Sequence, residues 1–134
     1  MTSIADIEGV GDSYAEKLKA AGIGSVEALL EKGATPAGRK EIETKTGISG
    51  KHILKWVNHA DLFRIKGVGG QYAELLEATG VDTVAELAQR KPENLHPAMV
   101  KANQAKKLVR VVAALLKVSD WVDQAKKLPR KVSY

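Results

Sequence analysis

The chain carries one stretch twice. Ile7-Glu8-Gly9-Val10-Gly11-Asp12-Ser13-Tyr14-Ala15-Glu16 returns 58 positions later as Ile65-Lys66-Gly67-Val68-Gly69-Gly70-Gln71-Tyr72-Ala73-Glu74, and residues 7–30 match residues 65–88 at 12 of 24 positions. Self-similarity of this extent marks an internal repeat, so whatever structure the first copy adopts the second must adopt too. A unit of about 60 residues buries a modest share of its surface and is marginal alone, so the two repeats are expected to share one compact body. With one Phe, two Trp and three Tyr in 134 residues, the core must be built from Ile, Leu, Val and Ala, which favours closely packed helices.

The periodicity agrees. Tyr14, Ala15, Leu18 and Ala21 fall on one helical face, as do Tyr72, Ala73, Leu76 and Thr79. Gly22 and Gly80 stand where a left-handed helix end is easiest for a residue without Cβ. Between the helices of each copy, Gly-Val-Gly permits positive φ and close backbone approach, with Val10 or Val68 pointing into the core. Further caps punctuate the chain: Ser3, then Asp12 or Ser13 with Glu16 as a capping box, Ser25, Thr35 before Pro36, Asp61 and Thr83. Gly33 and Gly47 close helices, Ser49 starts one, the chain breaks at Lys91-Pro92, and Pro97 is expected to open another helix. Residues 106–117 are open to two readings, helix or extended connector, because the run Val109-Arg110-Val111-Val112 weakens helix propensity. Ser119 or Asp120 is expected to cap a last helix that Pro129 ends, and the tail after Pro129 is ordered only if it docks.

An apolar residue, a gap, Gly, an apolar residue, Gly and then a helix with Ala at its fourth position resembles the helix-hairpin-helix motif. Thr46-Gly47-Ile48-Ser49-Gly50-Lys51 resembles a worn second hairpin, so residues 1–60 form one pair and residues 61–134 a second, the latter with a basic final helix and tail. The fourth turn would fall near Asn94-Leu95-His96-Pro97, without a glycine pair. Paired hairpins of this kind are similar to the SAM-like domains at recombinase N-termini and to the C-terminal domain of bacterial RNA polymerase α subunits. Over its length the chain resembles an uncharacterised bacterial family of unknown function made of two such pairs. The fold class implied is all-α, a tandem duplicated helix-hairpin-helix domain. The function implied is contact with nucleic acid, duplex DNA above all, because the motif's amides and the following helix N-terminus commonly hold a phosphate without reading sequence.

The charge pattern points the same way. Residues 1–64 carry nine basic and nine acidic side chains, whereas from Arg90 onward the balance is eleven to three. Glu8 and Asp12 flank the first Gly-Val-Gly and would repel a phosphate, while Lys66 enters the second and no acid follows it closely. The expected contacts are therefore the amides of Gly67, Val68, Gly69, Gly70 and Gln71 with the charge of Lys66, joined by Lys51 at the worn hairpin and by Lys106 and Arg110. On a continuous helix Lys106, Arg110 and Lys117 would lie near one face. Such contacts position a nucleic acid rather than specify its sequence. The competing expectation is a protein-interaction or scaffold module, and a weaker third is lyase action on damaged DNA. Catalysis is not expected: glycosylases of the resembling motif place a lysine where this chain has Ser13 and Gln71, and His52, His59 and His96 lack metal-ligand spacing, so neither metal nor cofactor is expected. Without cysteine, a leader-like start or an apolar run long enough to span a bilayer, the chain is expected to be cytoplasmic, with no membrane partner.

Overall fold

Caps and glycines cut this chain into short helices, as their local chemistry requires. In the computed structural model, which describes residues 2–134, a 3-10 turn at Ile4–Asp6 precedes eight α-helices. They are α1 (Gly11–Ala20), α2 (Val26–Gly33), α3 (Pro36–Thr46), α4 (Gly50–Leu62), α5 (Gly70–Ala78), α6 (Val84–Ala88), α7 (Pro92–Lys106) and α8 (Leu115–Lys127). Among the described residues there is no strand, only a single antiparallel bridge between Ser3 and Ser25. The protein is all-helical. It divides into two compact units, Met1–Asp61 with Lys131–Tyr134, and Leu62–Arg130.

Most helix ends follow the signals read above. Ser3, Ser25, Thr35 and Thr83 each accept a hydrogen bond from a backbone N–H of the turn they begin, and Pro36 and Pro92 occupy first helical positions. Gly22, Gly47 and Gly80 take positive φ just past helix ends. Four expectations are corrected. No side chain caps α1, which starts at Gly11 with Val10 before it, so the Ser13–Glu16 box does not form. Asp61 lies inside α4, because nothing between His59 and Leu62 breaks that helix. Pro97 and the would-be fourth turn lie inside α7, which absorbs the proline near its start at the loss of one backbone hydrogen bond. Ser119 and Asp120 lie inside α8, which begins at Leu115 after an uncapped Ala114.

The ambiguous segment is a connector. Helix α7 ends on Lys107 in a left-handed conformation (φ 52°), and regular helix resumes only at Leu115. Asn103 fixes this exit: its Nδ2 donates to the Val109 carbonyl (3.0 Å) and its Oδ1 accepts from the Val109 N–H (2.9 Å). The β-branched run therefore gains side-chain hydrogen bonds in place of helical ones it holds weakly.

Each unit closes on a tryptophan from its last helix. Trp56 of α4 is buried and meets Tyr14 of α1 edge-on at 5.0 Å, and Trp121 of α8 is buried and meets Tyr72 of α5 edge-on at 5.2 Å. Both rings lie beneath the first glycine of a Gly-Val-Gly turn. A Cβ on Gly9 would lie 3.9 Å from Trp56 Nε1, and one on Gly67 only 2.9 Å from Trp121 Nε1. The Trp121 indole N–H is buried with no hydrogen-bond partner, at a cost of about 1–3 kcal/mol. Burying a ring of roughly 200 Å² returns about 5 kcal/mol, so packing wins. Around Trp121 gather Ile65, Val68, Leu76, Val84, Leu87, Leu95 and Met99, all buried.

The residues after Pro129 do dock. Val132 is buried in the first unit, the Ser133 N–H donates to the Ala34 carbonyl (2.8 Å), and Tyr134 donates its hydroxyl to Asn58 Oδ1 (3.1 Å). Arg39 ties this strap to the end of α2, donating to the carbonyls of Gly33 (2.8 Å) and Ser133 (2.7 Å).

Two outcomes are expected in urea unfolding. Both Gly9 (φ +89°) and Gly67 (φ +98°) are left-handed, but only at Gly67 does an added Cβ strike an immobile ring. Gly67→Ala is expected to cost about 2–4 kcal/mol, against about 1–2 for Gly9→Ala, the difference being overpacking. Equal losses would show that the Trp121 contact is slack. Val132→Asp removes the strap's only buried side chain and is expected to cost about 2 kcal/mol, with amide exchange rising in α2 and α3; an unmoved midpoint would show that the strap contributes nothing.

Candidate nucleic-acid interface

A helix start leaves its first amides without intrahelical acceptors, and what covers them decides whether the start is a site. At α5 nothing does. The first helical bond runs from the Ala73 N–H to the Gly69 carbonyl (2.8 Å), Gly69 offers no capping side chain, and the amides of Gly69, Gly70 and Gln71 have no acceptor among the described residues. Gly67, Gly69 and Gln71 are exposed and Gly70 half-exposed, while Val68 is buried and anchors the turn from below. Gly69 has φ −104° and ψ −168°, an ordinary extended conformation, and a Cβ there would meet nothing within 4 Å. The space above the amides is open.

The turn itself is held from one side by Gln124 of α8. The Lys66 N–H donates to Gln124 Oε1 (2.8 Å), Gln124 Nε2 donates to the Lys66 carbonyl (3.2 Å), and the same Nε2 donates to Asp120 Oδ2 (2.9 Å). This two-way clasp mimics a strand pair and leaves the Lys66 ammonium directed to solvent, where the side chain is exposed. Arg64, Lys66, Asp120, Gln124, Lys127 and Leu128 line an open depression of about 450 Å³ beside it. Arg64 is braced there by donating from Nη1 to the Pro129 carbonyl (2.9 Å). Lys117 passes over the turn, its Cε 3.4 Å from where a Gly67 Cβ would be. Three lysines and an arginine thus surround the turn against one carboxylate, Asp120, already engaged with Gln124.

Of the residues expected to share a site, Lys66, Gly67, Val68, Gly69, Gly70 and Gln71 are brought together. Lys106 and Arg110 are not on one helical face, because the helix stops at Lys107; Lys106 ends α7 and Arg110 stands exposed on the connector. Lys51 belongs to the other unit, in the first turn of α4, and its N–H donates to Ser49 Oγ (3.3 Å), so the worn turn has a partly filled helix start. Arg64, Gln124 and Lys127 join the site without having been singled out, and Lys117, expected on one face with Lys106 and Arg110, lies at the turn instead. Only the placement of α8 against the turn reveals them, although the matching last helices, Trp56-Val57 and Trp121-Val122, carry the register that leads to Gln124.

The first Gly-Val-Gly is built differently. Gly11 is left-handed (φ +64°) where its counterpart Gly69 is extended, Val10 is already helical, and Asp12 and Glu8 bring carboxylates to the turn. Behind it, His52 stacks on Trp56 at 5.6 Å and an interplanar angle of 12°, and Lys17 lies 5.8 Å above the Tyr14 ring. Among the described residues, no group of three or more His, Asp or Glu converges as a metal site, and no helix is long and apolar enough to cross a membrane.

No curated protein and no solved structure matches the sequence. One family model does, that of a domain of unknown function, DUF4332, over residues 8–128, which takes in both glycine turns and both tryptophan helices. The chain is therefore a member of the DUF4332 family.

Proposed function

We propose that this protein binds nucleic acid, duplex DNA in preference, through the phosphate backbone, with the second Gly-Val-Gly turn as its contact, and that the turns are those of tandem helix-hairpin-helix units. The observation that carries the reading is the open start of α5, where uncapped amides of Gly69, Gly70 and Gln71 face solvent beside Lys66 and Lys117. A helix N-terminus of this kind favours an anion through both its dipole and its free donors. Arg64 and Lys127 add positive charge along the adjoining depression, where neighbouring phosphates of a strand would run. No array of Arg, Asn and Gln side chains projects from one helix to read base edges, so binding is expected to be independent of sequence.

A second reading has its own observation, the acidic first turn. Glu8, Asp12 and Glu16 cluster in sequence there, and they suit a basic segment of a partner protein better than a phosphate.

The test is a fluorescence titration of duplex DNA. Two or three phosphate contacts predict a loss of about 10- to 40-fold in affinity between 50 and 200 mM salt. Gly69→Val is the sharper probe, since its backbone already suits any residue and its side chain would enter empty space above the amides. Its melting curve is expected to stay put while affinity falls about tenfold or more, as for a lost charge-assisted hydrogen bond. Lys66→Glu is expected to do the same. No mobility shift at low salt, or full affinity in Gly69→Val, would refute the proposal, and capture of a basic partner lost in Asp12→Lys would favour the second reading.

A further inference from the structure

The two units differ most in the link before the last helix. In the first unit residues 47–49 join α3 to α4, whereas in the second residues 107–114 join α7 to α8, so the later copy has a longer connector in the same place. That connector and the first turn of α8 hold three of the four large apolar side chains that the described residues leave exposed: Val111 at 75%, Leu115 at 44% and Leu116 at 85%. Around them Lys106, Lys107, Arg110 and Lys117 are all exposed. From residue 94 to residue 119 the chain has five basic side chains and not one Asp or Glu.

The segment is held in this pose rather than left loose. Asn103 grips Val109 through two hydrogen bonds, Val109 and Ala113 are buried, and the Tyr72 hydroxyl donates to the Val111 carbonyl (2.6 Å). Pinning the backbone on both sides of Arg110-Val111 obliges those side chains to stand in water. The fold gains nothing from aliphatic side chains placed so, and clustered exposure of this kind marks a contact surface.

We propose that residues 106–117 form a docking surface for an anionic lipid membrane, the aliphatic tips entering the headgroup region and the cations meeting lipid phosphates and carboxylates. Charge complementarity selects the occupant: a basic collar around aliphatic tips, on a stretch with no Asp or Glu from residue 94 to residue 119, fits a surface that is negative outside and hydrocarbon inside. Nucleic acid satisfies only half of this, since bases are held by aromatic and guanidinium faces and Val and Leu offer neither. The absence of a spanning helix does not bear on adsorption of this kind, which lies on a bilayer rather than across it.

The experiment is co-sedimentation of the full chain with phosphatidylcholine vesicles, with and without phosphatidylserine, beside the duplex titration. The expected result is binding to the mixed vesicles alone, reduced about tenfold or more in the double variant Val111→Asp, Leu116→Asp and in Lys106→Glu, Arg110→Glu. Both changes fall on exposed side chains, and an unaltered melting curve verifies the fold. The proposal is overturned if the wild-type chain ignores anionic vesicles, if the aspartate variant binds them as well as wild type does, or if that variant loses duplex DNA while vesicle binding stands. Failure of the DNA reading leaves the two vesicle outcomes unchanged, because the surface does not use the amides at Gly69.

Discussion

A tryptophan lying beneath a glycine is the contact on which each unit depends. None of the eight helices exceeds 15 residues, so none is stable in isolation, and each must gain its stability by burying a face against another. Trp56 and Trp121 supply the largest buried surfaces available to a chain this poor in aromatics, and they deliver them to the turn that opens the unit. The start of each unit is thereby joined to its end. Closing so long a loop costs conformational entropy, which a single buried ring, its edge-on tyrosine and the aliphatic shell around it together offset.

This contact explains why glycine stands at two positions of the turn for different reasons. Gly67 has a positive φ and no room for a Cβ above Trp121, so it is fixed by the core. Gly69 has neither constraint: its backbone is extended and its surroundings are empty. A side chain would be tolerated there, so what glycine provides at position 69 is access to the amides behind it. Folding requirements thus end at the underside of the turn. The upper side is free to carry chemistry.

How far the sequence could be read follows the same division between local and long-range causes. Helix ends set by a side chain acting three residues away, at Ser25, Thr35 and Thr83, or by a left-handed glycine, at Gly47, are visible in the letters because their cause is local. The run Gly67 to Gln71 was legible as one cluster because it is contiguous. Asp61 and Pro97 look like boundaries by composition, yet both lie within helices, Asp61 where the sequence offers no breaker and Pro97 near enough to a helix start to be absorbed. Gln124 and Arg64 were hidden, as was the place of Lys117 at the turn, because α8 reaches it only through tertiary packing. The separation of Lys106 from Arg110 depended on Asn103 competing for the backbone of Val109, an interaction that residue periodicity does not register.

Duplication then gives two copies the same underside and lets their outer faces part. In the first copy Gly11 is left-handed and carboxylates stand at the turn; in the second the matching glycine is extended, lysines stand there, and a longer connector holds aliphatic side chains in water. None of these changes disturbs the tryptophan, the tyrosine against it or the buried valine between the glycines. Had the outer residues been needed for stability, charge reversal between copies would have cost one of them its fold. Their divergence over a preserved interior puts the difference between the two copies on the turn and connector rather than in the core.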